Sequence, residues 1–238
     1  MVERLVRSSR GGDNQLLALL PRRTRTAFEA RCRRTKLAFG QVLAEPDARI
    51  RHVYFPIDSF VSLIARADAG STLEVGLIGT EGMFGATIAL GSDSAPLHAL
   101  VQGGGTALRM TAKQFRLELA ASALLRGLML RYCYVLLRQL SQMAACTRYH
   151  PVQARLARWL LMTQDRARGS ALHLTQQFLS QMLGVRRVGV TQAAGVLQAG
   201  KLIGYRRGEI VILNRRGLEA VSCVCYSADR LLYQRTLD

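Results

Sequence analysis

The sequence predicts an α+β fold with three successive regions. The first is rich in short strands, the second is one long helix, and the third is a small region of helices and a hairpin. Three observations predict this fold. Short apolar runs separated by turn residues extend from Lys36 to about Met110, apolar residues recur every three or four positions from about Ser122 to Arg148, and two short helical patterns and a hairpin pattern follow Thr175. Because 49% of the 238 residues are hydrophobic, the chain can bury a core.

Residues 1–119 are expected to form the first domain. Asn14 to Cys32 predicts one or two short helices, with Pro21 as a start or kink signal. The β-type runs that follow are KLAFGQVL, HVYF, SFVSLIA, TLEVGLI, HALVQ and TALRM, and prolines and glycines separate them. Short strands with regular turn signals are typical of a small β-sandwich, barrel or roll.

A long helix is predicted over residues 120–149, after a short helix from Thr111 to Leu119. Alternating steps of three and four place one set of mostly apolar residues along a seam of the long helix: Leu125, Leu128, Tyr132, Val135, Gln139 and Gln142. Such a seam predicts the interface of a coiled-coil dimer. It fits equally well a helix that packs against its own domain.

The third domain is expected over residues 150–238, because the proline of His150-Pro151 disfavours helix at the residue before it. After Thr175, which can cap a helix, the apolar spacing fits two helices broken at Gly184. The second helix starts with Arg186-Arg187. Basic side chains at this end oppose the helix dipole, which is explained if they reach phosphates or base edges of DNA. The segment KLIGYRRGEIVIL then predicts a basic hairpin, so that the order is that of a winged helix-turn-helix.

The charge distribution points to a polyanionic partner. The net charge is +17, and it is concentrated at the two ends of the chain. Residues 1–51 carry 12 basic and 5 acidic side chains (+7), residues 52–146 carry 7 and 6 (+1), and residues 147–238 carry 14 and 5 (+9). A basic end that coincides with a predicted winged helix indicates nucleic acid more than a membrane surface.

No membrane association or export is expected. The opening MVERLVRSSRGGDNQ lacks the continuous apolar core of a secretory signal, and three arginines interrupt the apolar stretch from Leu124 to Leu140. The five cysteines are scattered and odd in number, which predicts a reducing compartment and a cytoplasmic protein.

The sequence predicts neither an enzyme nor a metal centre. No P-loop, no nucleophile elbow and no characteristic carboxylate pair is present. Cys223-x-Cys225 lacks the CxxC spacing of zinc and redox sites, and the four histidines are dispersed. We therefore expect no metal and no cofactor.

Taken together, the β-type runs, the long helix and above all LTQQFLSQMLGVRRVGVTQAAGVLQAGKLIGYRRGEIVIL resemble the Crp/Fnr transcription regulators. The resemblance implies a β-roll of the cyclic-nucleotide-binding type, a dimerisation helix and a winged helix that reads double-stranded DNA, with RNA polymerase as a further partner. Arg187 falls where the family places its guanine-reading arginine. The DNA-binding residues implied in full are Thr175, Arg186, Arg187, Thr191 and Gln192 in the helix-turn-helix, and Arg206 and Arg207 in the wing.

The β-roll departs from the members of the family that bind cAMP. Where those members have a Gly-Glu pair for the ribose and an Arg-Ser pair for the phosphate, this chain has Gly85-Ala86 and Ala95-Pro96. Without the guanidinium a buried phosphate has no charge partner, so we expect no cAMP binding. The candidate pocket for an unknown effector comprises Glu81, Gly82, Gly85, Ala86, Ala95 and Pro96, although its glycines also fit tight corners of a β-roll.

The sequence thus predicts a homodimeric, sequence-specific DNA-binding transcription regulator that acts on near-palindromic sites. The alternative is a ligand-binding or protein-interaction β-roll whose DNA binding is non-specific.

Overall fold

The computed structural model describes residues 13–67, 70–167, 171–206 and 208–237. Its α-helices are α1 (Gln15–Ala18), α2 (Arg22–Glu29), α3 (Ala112–Ala121), α4 (Ala123–Tyr149), α5 (Val152–Arg166), α6 (Gln176–Leu183), α7 (Arg187–Ala199), α8 (Arg215–Val221) and α9 (Cys225–Leu237). Its strands are β1 (Arg33–Leu37), β2 (Val42–Ala44), β3 (His52–Pro56), β4 (Phe60–Arg66), β5 (Thr72–Ile78), β6 (His98–Gly103), β7 (Gly105–Thr111), β8 (Ala171–His173), β9 (Ile203–Arg206) and β10 (Glu209–Ile212). The predicted α+β class and the order of elements are confirmed.

The chain divides into two compact units. The first combines Met1–Leu63, Ile78–Leu137 and Leu231–Asp238, and the second combines Ile64–Leu77 and Arg138–Arg230. Helix α4 is therefore shared between the units, whereas the sequence suggested boundaries at 119 and 149. Those boundaries remain a prediction.

The first unit is built on antiparallel strands, as the alternating apolar runs predict. Strands β1, β7 and β3 form one sheet in the order β1-β7-β3, and β2 pairs with β6 in a second sheet. The rings of Phe28, Phe55 and Phe115 meet edge to face at centroid distances of 5.4–6.4 Å. The fully buried Asn14 caps α1 and donates to the carbonyl oxygens of Pro56 and Gly82, at 2.9 Å each.

The apolar seam predicted on the long helix requires a correction. Four of its six members are at most 1% exposed and belong to the core of the first unit: Leu125, Leu128, Tyr132 and Val135. Gln139 is also buried, and the amide of half-buried Gln142 donates to Cys225 Sγ. Because these side chains are covered within one chain, they have little surface left for a second copy, and packing on the chain itself explains the seam.

The second unit packs around α5. Helix α5 contacts α6, α7 and α8, and Leu156, Leu160 and Leu197 are fully buried. The Arg155 guanidinium donates to the carbonyl oxygen of Leu183 at the C-terminal end of α6. A cation at this end of a helix is favourable, because unpaired carbonyl groups carry the negative end of the helix dipole there.

Two buried polar pairs complete the second unit. The indole of Trp159 donates to Glu74 Oε1 over 2.8 Å, and Arg158 pairs with Asp229 at 2.8 Å. Both pairs satisfy groups that would be costly to bury alone.

Within the described ranges, no single helix has the length and hydropathy to cross a membrane; only α3 and α4 taken together, bent by 115°, meet that criterion.

Candidate nucleic-acid interface

Helices α6 and α7 and the turn between them form a helix-turn-helix. The Thr175 hydroxyl caps α6 by accepting a hydrogen bond from the backbone N–H of Phe178 at 3.1 Å. Gly184 ends the helix with φ of +61° and ψ of 42°, a left-handed conformation that favours glycine. A Cβ at Gly184 would also lie 3.1 Å from Leu73 Cδ1. The predicted break between two helices is thus confirmed at Gly184.

Helix α7 has one buried face and one exposed face. Its inward side chains are Val190, Ala193, Ala194 and Leu197. The exposed residues Arg187, Val188, Thr191, Gln192 and Gly195 recur at helical spacing along the other side. Polar and basic groups therefore line a helix face that can enter a DNA groove.

The N-terminal end of α7 is positive because of its arginine side chains and because of the backbone N–H groups of its first turn. Arg186 and Arg187 are both exposed there, and the first turn contains no acidic residue. The N-cap residue Arg186 supplies no side-chain acceptor for the N–H groups of the first turn. Guanidinium groups and these N–H groups together are suited to phosphate oxygens.

Gln176 joins the two helices at this surface, a contact that was not predicted from the sequence. Its Oε1 accepts from the Thr191 hydroxyl at 3.0 Å and lies 3.4 Å from Arg187 Nε. The Thr191 hydroxyl also lies 3.1 Å from the Arg187 carbonyl oxygen. No local sequence pattern singles out Gln176, because its role depends on the approach of α6 to α7.

The hairpin predicted after Gly200 is present. Strand β10 pairs with β8 on one side and with β9 on the other, with Glu209 opposite Arg206. Gly208 has φ of +81° at the turn, and Arg206 is exposed beside it. Arg207, the other predicted wing contact, lies outside the described residues.

The hairpin contacts α7 through strand β9. Tyr205 in β9 donates its hydroxyl to the Leu174 carbonyl oxygen at 3.0 Å. Burial raises the pKa of Tyr205, and the nearby positive charge of Arg187 acts in the opposite direction. Helix α7, which carries Arg187, and the hairpin are therefore neighbours in the second unit.

The predicted effector residues lie at closely packed positions of the first unit. Gly82, Gly85, Ala86 and Ala95 are buried, Glu81 is half-buried and Pro96 is exposed. A Cβ at Gly82 would lie 2.2 Å from Tyr132 Oη, and one at Gly85 would lie 2.9 Å from Val53 Cγ1. A side chain at either glycine would therefore collide with buried core residues.

Comparisons with known proteins also identify a helix-turn-helix in this part of the chain. Residues 154–221 match the Crp-like helix-turn-helix domain family. A comparison with curated proteins finds no match.

Several solved structures share the fold. FixK2 from Bradyrhizobium japonicum is 15% identical, with a TM-score of 0.68, and the match covers 81% of this chain and 98% of that one. The c-di-GMP-responsive global regulator CLP from Xanthomonas campestris is 20% identical, with a TM-score of 0.64 and coverages of 81% and 99%. A transcriptional regulator of the Crp/Fnr family from Eubacterium rectale is 14% identical, with a TM-score of 0.69 and coverages of 87% and 96%. Residues 154–221 therefore match the Crp-like helix-turn-helix domain family, and the chain shares its fold with these three solved structures.

Proposed function

We propose that this protein is a cytoplasmic, non-enzymatic transcription regulator that binds specific DNA sequences as a homodimer. One observation carries the proposal: exposed Arg186 and Arg187 stand at the start of α7, Thr191 and Gln192 follow on its exposed face, and α7 contacts strand β9 of the hairpin. The +9 charge of residues 147–238, from 14 basic and 5 acidic side chains, supports the same partner.

Arg187 is assigned to the edge of a guanine, since a guanidinium fits the O6 and N7 acceptors in the major groove. Arg186 is assigned to a phosphate, because phosphates and sugars receive half or more of such contacts. Thr191 and Gln192 lie one turn further along the exposed face and are assigned to base edges. Val188 is 66% exposed beside Arg187, and we assign it to a thymine methyl group.

The dimer interface is assigned to a face of α4 other than the predicted seam. Leu130 and Tyr134 are 44% and 51% exposed, and the exposed residues Leu137, Ser141 and Ala144 continue the alternating spacing of three and four. This is the spacing at which two helices of a coiled coil meet, so the occupant is the same face of a second copy. Two recognition helices related by a twofold axis would then read half-sites about 34 Å apart.

The first unit is assigned to regulation by an effector of unknown identity. The expectation that cAMP is not that effector stands on Ala86 and on Ala95-Pro96, which offer no carboxylate for a ribose and no guanidinium for a phosphate. Equilibrium binding of labelled cAMP to the purified protein tests this, and saturable binding would refute it.

The function is tested by selecting bound fragments from random DNA duplexes with the purified protein. We expect enrichment of a near-palindrome with two half-sites. Arg187→Ala should relax the selected sequence, whereas Arg23→Ala removes the same charge from an exposed position of α2 and should leave the selection unchanged. Retention of duplexes without any enriched sequence would favour the non-specific alternative and refute the proposal.

A further inference from the structure

Four side chains that can bind metal meet in the second unit. Cys146 lies in the last turn of α4 and His150 directly follows that helix, while Cys223 precedes α9 and Cys225 begins it. Their candidate ligand atoms all lie within 4.8 Å of one another. The three thiols are buried and the imidazole is half-buried.

The distances in this cluster match those between ligands of one tetrahedral ion. Cys146 Sγ lies 3.7 Å from Cys223 Sγ, and Cys225 Sγ lies 3.5 Å from His150 Nδ1. Zinc bonds of about 2.3 Å to sulfur and about 2.1 Å to nitrogen give tetrahedral edges of about 3.8 Å and about 3.6 Å. Two edges of the cluster therefore already have the required length.

We propose that Cys146, His150, Cys223 and Cys225 bind one zinc ion in a closed, structural Cys₃His site. Three thiolates and one imidazole form a ligand set that zinc prefers, and four protein ligands leave no position for a reacting water. The proposal goes beyond the proposed DNA-binding function and does not depend on it.

The surroundings of the cluster suit a site with net negative charge. Three thiolates and Zn²⁺ sum to −1. The Arg158 guanidinium approaches Cys146 Sγ at 3.8 Å, and Asp229 orients that guanidinium through a 2.8 Å contact. The Gln142 amide donates to Cys225 Sγ at 3.1 Å. Donors of this kind orient ligating sulfur atoms and reduce their charge.

The proposal differs from the expectation that no metal is bound, because the four side chains stand in two pairs far apart along the chain. Cys223 and Cys225 offer two ligands at an unusual spacing, whereas Cys146 stands 77 positions before Cys223. Cys146 and His150 are four residues apart and thus share one side of the helix end, which was the signal the sequence did contain.

The ion would join the end of α4 to the connection between α8 and α9. Pro151 follows His150 directly and is the N-cap residue of α5, the helix that carries Arg155 and packs against α6 and α7. Because metal binding to such a site contributes to folding, its loss should destabilise the second unit.

The first test is the metal content of the full-length protein, purified under reducing conditions. We expect about one zinc per chain by elemental analysis and, by X-ray absorption at the zinc edge, about three sulfur ligands and one nitrogen ligand. Absence of zinc together with failure to bind added Zn²⁺ would overturn the proposal. So would a Cys146–Cys223 disulfide in the reduced preparation, or iron with inorganic sulfide in place of zinc.

Matched variants identify the ligands. Cys223→Ser and Cys225→Ser should each lower the zinc content at least about tenfold after dialysis against a chelator, because a closed site loses a ligand. Cys32→Ser and Cys133→Ser change half-buried thiols of the first unit and should keep one zinc. Equal zinc content in all four variants would overturn the assignment. If the ligand variants do not fold, the X-ray absorption result on the unmodified protein decides it alone.

Discussion

Gln176 and Arg187 are eleven residues apart in the chain, and their side chains meet, with Gln176 Oε1 3.4 Å from Arg187 Nε. The same oxygen accepts from the Thr191 hydroxyl at 3.0 Å. The first helix of the motif thereby orients a guanidinium and a hydroxyl on the exposed face of the second helix. A side chain oriented before binding loses less conformational freedom on contact with DNA.

Gln176→Ala should therefore weaken binding to the selected duplex about 3- to 10-fold, which corresponds to one ordinary hydrogen bond, and should leave binding to unrelated duplexes unchanged. Fluorescence anisotropy with both duplexes measures the ratio. Gln177→Ala alters the exposed neighbouring residue and serves as the control. An equal loss of affinity for both duplexes would show that Gln176 contributes to folding or to DNA binding of any sequence, and not to orienting Arg187.

Arg187 and Arg206 should differ in what they contribute. Arg187→Ala should cost about 1–3 kcal/mol on the selected duplex and relax the preference at one base pair. Arg206→Ala should weaken binding to all duplexes alike and lower the slope of log affinity against log salt by about 1. Titrations at several salt concentrations separate the two. Identical behaviour of the variants would contradict the assigned roles.

The exposed face of α4 predicts a change in oligomeric state. Leu130→Glu places a charge at a 44% exposed apolar position of the assigned dimer interface, and sedimentation velocity should show a monomer. Leu117→Glu changes a 56% exposed leucine of α3 and should leave the dimer intact. A Leu130→Glu protein that sediments as the wild type does would place the interface elsewhere.

Gly82 should not tolerate a larger residue. A Cβ there would lie 2.2 Å from Tyr132 Oη and 2.8 Å from Tyr132 Cζ, and Tyr132 is fully buried. Gly82→Ala should therefore reduce the free energy of unfolding by about 1–3 kcal/mol. Gly195→Ala, in α7 with nothing within 4 Å of the new Cβ, should raise it by about 0.5–1 kcal/mol. Denaturant unfolding gives both values, and a neutral Gly82→Ala would indicate that Tyr132 moves away.

Asp93 should contribute to stability in a pH-dependent way. Hydrogen bonds from Arg49 and Arg116, each 2.9 Å long, lower the pKa of Asp93 below its usual 3.8. The charged form is thus favoured by folding, so this contribution is complete above the unfolded pKa and disappears as the pH falls through the lower folded value. Asp93→Asn should be less stable than the wild type near neutral pH, and the difference should vanish in acid. A constant difference in unfolding midpoint would contradict this.

Local sequence patterns were enough to predict most of the fold. The strand positions between Lys36 and Met110 and the caps Thr111 and Thr175 follow from side-chain alternation and from hydroxyls that accept backbone N–H groups. The break at Gly184 follows from the left-handed conformation. Nothing local distinguished Gln176 from its neighbours, since its role arises from contact with another helix. Helices α8 and α9 were not anticipated either.

By itself, the sequence determined the order of strands, long helix and helix-turn-helix with hairpin, because periodicity, caps and turns act over a few neighbouring residues. It also determined that two arginines stand at the start of the second helix of the helix-turn-helix. Only the tertiary structure decided which face of α4 is buried, because both Leu125 and Leu130 start a series with the same spacing of three and four. It alone brought Cys146 to Cys223, since a meeting across 77 positions depends on how whole helices pack.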